Sequence, residues 1–130
     1  MRDISILIID DDPLILETIS KILSLSSPHY YIETAQTIEE AFNLVKKTYW
    51  DTILLDLSLP NTHGENPSPK NGLRALHTFK KELKLNAPII AITGHYEDEF
   101  SDIVLDEGAY YFLHKPLRPK SLSAIVKNAT

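Results

Sequence analysis

Residues 4–13 read ISILIIDDDP, and the fold turns on how that stretch is read. Ile4 to Ile9 is a short β-branched run of the kind that suits a strand buried on both faces. It stops at three neighbouring carboxylates, Asp10, Asp11 and Asp12. Pro13 then suits the first turn of a helix, where its missing N–H is not needed. Buried strands do not normally end in a pile of like charges. Something has to make three acids tolerable there.

The same alternation of periods continues outward from this stretch. After Pro13, Leu14, Ile15, Ile19, Ile22 and Leu23 recur at helical spacing as far as a Ser-Ser-Pro break at 26–28. Tyr30 to Ala35 reads as a second, more amphipathic strand. Thr37-Ile38-Glu39-Glu40 resembles a capping box that opens a helix through Ala41, Phe42, Leu44 and Val45. Thr52 to Asp56 is a third strand, apolar until its last residue, and Leu73 to Leu83 a third helix. Ala87 to Thr93 is a fourth strand. An acidic helix from Glu97 to Glu107 is closed by Gly108, a good C-cap. Ala109 to Leu113 and Pro119 to Ala129 supply the last strand and helix. Five β-α repeats with near-continuous apolar strands imply an α/β fold, a doubly wound parallel sheet of five strands covered on both faces.

Composition narrows the function. The chain has 130 residues, 43% hydrophobic and 24% charged, which suits a single soluble domain. A net charge of −5 argues against nucleic acid as a primary ligand, because phosphate binding needs a basic face. Without cysteine there is no disulfide framework, thiolate nucleophile or Cys-based zinc site. No apolar run approaches the ~20 residues of a membrane span. Met1-Arg2-Asp3 leads straight into the first strand, so no signal peptide and a cytoplasmic location are expected.

In open sheets of this kind ligands sit beyond the carboxyl ends of the strands. Those ends carry Asp10, Asp11 and Asp12 after strand 1, Asp56 at strand 3, Thr93 at strand 4 and Lys115-Pro116 after strand 5. Clustered carboxylates repel unless one protonates or a cation joins them. An all-oxygen site suits Mg²⁺, or Mn²⁺, which accept a few carboxylates and keep several waters. Asp11 and Asp56 read as direct ligands and Asp10 as a support through water. Asp12 is better explained as an acid at a helix N-terminus. A carboxylate flanked by a divalent cation, a lysine and a threonine is arranged to act as a nucleophile toward phosphorus.

With IIDDDP, LLDLSLP, AITG and FLHKPL in that order, the chain resembles the receiver domain of two-component response regulators. The resemblance runs from about Ile4 to the end. It implies a CheY-like, flavodoxin-like sandwich with strand order 2-1-3-4-5, and one receiver domain over residues 1–130, cut from a longer regulator or complete. It implies Asp56 as phosphoacceptor and a metal held by Asp10, Asp11, Asp56 and the backbone carbonyl of Ser58. Thr93 would be the switch hydroxyl, Lys115 the phosphate partner before a cis peptide, and Phe112 the switch aromatic. The implied phosphoryl donor is a histidine kinase or a phosphotransfer protein. An output domain or partner would meet the face made by helix 4, strand 5 and helix 5, and phosphorylation-dependent homodimers are compatible with it. Such a protein is a phosphoacceptor switch rather than an enzyme, catalysing at most its own phosphorylation and dephosphorylation.

The segment after Asp56 departs from the family pattern. Asn71-Gly72-Leu73 matches the usual start of the third helix, which leaves roughly eight extra residues around NTHGENPS. With two prolines, one glycine and many polar residues, the segment from Asn61 to Asn71 is expected to be mobile and dispensable for folding. His29, His63 and His77 read as solvated surface, and His95 as a residue edging the site. A competing reading is a metal-dependent phosphohydrolase on a similar sheet. Haloacid-dehalogenase-type enzymes want a second Asp two residues after the nucleophile, and that position is Ser58. A flavodoxin-like cofactor module would need a phosphate-cradling loop after strand 1, where three acids would instead repel the phosphate.

Overall fold

The computed structural model describes residues 3–94 and 98–130, with the side chains of residues 98–100 excepted. Five parallel strands, β1 (Ile4–Ile9), β2 (Tyr30–Ala35), β3 (Thr52–Asp56), β4 (Ile89–Thr93) and β5 (Tyr111–His114), form one sheet in the order β2-β1-β3-β4-β5. Five helices join and follow them: α1 (Pro13–Ser26), α2 (Ile38–Lys47), α3 (Pro69–His77), α4 (Asp98–Asp106) and α5 (Pro119–Ala129).

Strand alternation sorts the apolar residues into two cores. Ile6, Ile8, Leu54, Ile90 and Ile92 pack with Leu16, Ile19 and Leu23 of α1 and Leu122 and Val126 of α5. Leu7, Ile9, Ile53, Leu55, Ile89 and Ala91 face the other way, against Ala41 and Val45 of α2, Ala75 and Leu76 of α3 and Val104 of α4. Each such aliphatic side chain contributes about 1.5–3 kcal/mol on leaving water. That burial compensates for the weaker pairing of parallel strands. This is why the three central strands read as unbroken apolar runs.

The helix ends match their local signals. Asp12 caps α1 by accepting from Leu14 N at 2.9 Å, and Thr37 caps α2 by accepting from Glu40 N at 3.1 Å. Glu40 Oε1 accepts from Gln36 N at 2.8 Å, so the returning half of the capping box is made to the residue before the cap. At the end of α4, Gly108 takes φ +106°. Its N–H reaches Leu105 O, and Ala109 N reaches Val104 O, the paired bonds of a Schellman turn.

The third helix differs from its expected span of Leu73 to Leu83. It starts at Pro69 because Ser68 caps it through Lys70 N at 3.2 Å and Pro69 occupies the first turn. After His77 the helix widens into a π turn over Thr78–Glu82, closed by Leu83 N on Thr78 O at 2.8 Å. β4 begins two residues later than expected, and β5 spans Tyr111–His114 rather than Ala109 to Leu113. His95 and Glu97 lie outside the described residues.

The segment between Asp56 and α3 is also better anchored than expected. Pro60 O and Asn61 O accept from Ile38 N and Glu39 N, so the loop supplies two of the carbonyls that satisfy the first turn of α2. His63 Nε2 meets Glu40 Oε2 at 2.7 Å. Only the stretch from 63 to 67 is uniformly exposed.

Candidate functional site

Register builds the site. Ile9 pairs with Leu55, so the next residues, Asp10 and Asp56, come side by side at the carboxyl rim. Alternation places Asp56 on the Leu54 side of the sheet, toward α1 and α5. Asp10 after Ile8 and Lys115 after Leu113 continue the same parity. Thr93 pairs with His114 and Ala91 with Phe112, and these four follow the opposite parity, toward α4.

Asp10 and Asp56 are buried, at 1% and 2% exposure, and Asp11 is half-buried. One oxygen from each of the three carboxylates lies within 4.8 Å of the others. Lys115 Nζ stands 3.4 Å from Asp10 Oδ2 and 3.3 Å from Asp56 Oδ2. The remaining oxygens are held locally: Asp10 Oδ1 accepts from Asp12 N at 2.9 Å, and Asp56 Oδ1 from Ser58 N at 3.2 Å. The lysine is itself held from β4, since Lys115 N donates to Thr93 O at 2.8 Å, and the Lys115–Pro116 peptide is cis.

The electrostatics follow from that packing. Burial, reinforced by the charge of Asp10, pushes the Asp56 carboxyl up to about 7. Asp10 is also raised, by burial first, against the lowering pull of the Asp12 N–H and Lys115. Burial works to lower Lys115, but the two carboxylates outweigh it and its pKa rises. Two buried acids and one ammonium leave a surplus of negative charge. A divalent cation on the same oxygens would remove it. The donor set is all oxygen, which fits Mg²⁺ or Mn²⁺ and not a metal that prefers nitrogen or sulfur.

The other anticipated residues fall where their strands put them. Thr93 is buried at the end of β4. Phe112 is half-buried against the α2–α4 core, stacked on Tyr111 at 5.3 Å and edge-on to His114 at 5.5 Å. Asp12 faces solvent as a helix cap, as read from the sequence.

Two contributors were missed: Asn71 and Gly72. The sequence reading used them only to align a helix start. In the structure Gly72 N donates to Leu57 O at 3.0 Å, and Asn71 Nδ2 donates to Leu59 O at 2.7 Å. A Cβ on Gly72 would overlap the backbone of Leu57. The glycine before an apolar helical run was a usable signal for such close approach. Nothing comparable marked Asn71.

Comparison with known proteins places this rim in context. The family model for the response regulator receiver domain matches residues 6–127. The regulatory protein VanR of Enterococcus faecium is 33% identical over 122 residues, 94% of this chain and 48% of that protein. The phosphate regulon transcriptional regulatory protein PhoB of Pseudomonas aeruginosa is 31% identical over 124 residues, 95% of this chain and 50% of that protein. The chain thus spans about half the length of these curated relatives. A CheY-like response regulator receiver domain protein from Methanospirillum hungatei superposes with a TM-score of 0.82 at 28% identity, covering 97% of this chain and 92% of that one. Nothing in these likenesses favours a phosphohydrolase. Sheet order, the acid-lysine rim and the matched residues agree, and the chain belongs to the response regulator receiver domain family, the phosphorylation-activated switches of two-component signalling.

Proposed function

We propose that Asp56 is the phosphoacceptor of this domain, working with Mg²⁺ or Mn²⁺ held by Asp10, Asp11, Asp56 and the Ser58 carbonyl. The observation that carries the reading is Lys115 Nζ within 3.4 Å of both Asp10 and Asp56, beside a third carboxylate. The bound cation would supply charge neutralisation for the acidic cluster and for the incoming phosphoryl oxygens. The phosphoryl donor is a phosphohistidine of a histidine kinase or phosphotransfer protein. An Asp56 oxygen forms the new bond to phosphorus while the bond from phosphorus to the imidazole nitrogen breaks, and the imidazole leaves with a proton. Asp56 must be ionised to attack, and Lys115 favours that form.

Thr93 then serves as the switch hydroxyl that follows the phosphate, and Phe112 as the half-buried ring that fills the space it leaves. That change is read on the face of α4, β5 and α5, by an output domain, a separate partner or a second copy of the chain. Residues 1–130 form one receiver domain in this reading, acting in the cytoplasm and not binding nucleic acid through this segment.

Intact-mass measurement after incubation with acetyl phosphate tests the assignment. One phosphate is expected with Mg²⁺ and none with chelator or in Asp56→Asn. Equal labelling of Asp56→Asn would sink it.

A further inference from the structure

The proposed metal set includes one backbone carbonyl, Ser58, and a carbonyl has no side-chain rotamer to aim it. Its direction depends on the two peptide groups beside it. The peptide before it is tied at both ends: Leu57 O accepts from Gly72 N at 3.0 Å, and Ser58 N donates to Asp56 Oδ1 at 3.2 Å. The peptide after it is tied through Leu59 O, which accepts from Ser68 N at 3.2 Å and from Asn71 Nδ2 at 2.7 Å. Ser58 O therefore lies between two fixed peptide planes. Of the four bonds that fix them, the one from Asn71 is the only one donated by a side chain. The Asn71 amide is itself held by Asn61, whose Nδ2 reaches Asn71 Oδ1 at 3.4 Å. These two asparagines bracket the extra loop and close its neck, beside the Leu59–Ser68 bridge.

We infer that Asn71 is a positioning residue for the metal site: its amide, oriented by Asn61, clamps Leu59 O and so aims the Ser58 carbonyl at the cation. The clamp also separates the site from the insertion, because the loop tip lies beyond the neck. This rests on the reading of Ser58 as a ligand given above. Groups that orient metal ligands commonly change affinity by about 10–100-fold when lost.

The test is a calorimetric Mg²⁺ titration of the whole chain as wild type, Asp11→Asn, Asn71→Ala, Asn71→Asp and Asn61→Ala. Metal-free melting and amide exchange at Ser68 are recorded alongside. Asn71→Asp keeps the size but loses the donor. Both Asn71 variants are expected to bind about tenfold or more weakly and to exchange faster at Ser68. Asn61→Ala should bind roughly threefold more weakly, and it carries the test if Asn71→Ala does not fold. A purely structural role would lower the melting temperature and leave the affinity of the folded protein alone. Affinities within twofold of wild type in the asparagine variants, with binding abolished in Asp11→Asn, would overturn the inference and spare the site. Wild-type binding in Asp11→Asn would overturn the site and this inference together.

Discussion

Lys115 Nζ lies 3.3 Å from Asp56 Oδ2 across 59 residues of chain, and it makes a second contact to Asp10 at 3.4 Å. One ammonium therefore serves two buried acids. Replacing it with a neutral side chain removes the only cation that the described residues bring to these two carboxylates. Lys115→Met should slow phosphorylation from acetyl phosphate by about 100-fold, the low end of the loss for a preorganised donor, because the lysine is partly exposed. Mg²⁺ binding should persist in that variant. An unchanged labelling rate by intact mass would count against a role for the lysine.

The raised Asp56 pKa makes the stability of the fold depend on pH. Its folded value of about 7 exceeds the ordinary 3.8, so the folded state holds the proton more tightly. That contribution is complete below about 3.8 and is lost as pH rises through 7. In chelator, wild type should therefore lose stability relative to Asp56→Asn between pH 5 and 8, since asparagine carries no charge to desolvate. A gap widening by roughly 5–15 °C in melting temperature is expected. Parallel pH profiles for the two proteins would contradict it.

Gly72 has no room for a side chain, because a Cβ would overlap backbone atoms of Leu57 rather than a movable side-chain tip. Gly72→Ala should destabilise the fold by about 3 kcal/mol or more, read by urea unfolding. The same shift of α3 away from Leu57 should weaken Mg²⁺ binding. An alanine variant within 1 kcal/mol of wild type, on the order of an ordinary surface change, would mean that the loop yields easily.

The extra loop divides at its neck. Replacing His63–Pro67 by three glycines removes exposed residues, the hydrogen bonds of Glu65 with Thr62 and the surface pair of His63 with Glu40, which is worth about 1 kcal/mol or less. The melting temperature should fall by no more than about 4 °C. Deleting Pro60 and Asn61 as well should cost much more, because their carbonyls satisfy Ile38 N and Glu39 N of α2. Equal losses from the two deletions would show that the neck has no special part.

Trp50 is buried at the amino end of β3, its Nε1 bonded to Leu44 O at 3.0 Å. Asp56 closes the other end, roughly 17–20 Å away at the rise of a strand. Mg²⁺ titration should give saturable heat with almost no change in indole emission. Strong quenching that Asp11→Asn abolishes would show coupling along the whole strand.

Local patterning determined the layers. Ile4 to Ile9, Thr52 to Asp56 and Ile89 to Thr93 are apolar on both parities, and only a sheet covered on both sides can bury them. The strand ends gathered Asp10, Asp56 and Lys115 at one rim, and the capping signals at Asp12 and Thr37 set two helix starts. Tertiary structure decided what hydrogen bonds across the chain control. It placed α3 at Pro69 and extended it through a π turn. It anchored the extra loop by carbonyls of Pro60 and Asn61, and it turned Asn71 onto Leu59 O. Side-chain hydrophobicity leaves a period in the sequence because burial recurs with each turn or pleat. A backbone carbonyl is common to every residue, so the partner it finds leaves no local mark until the chain has folded.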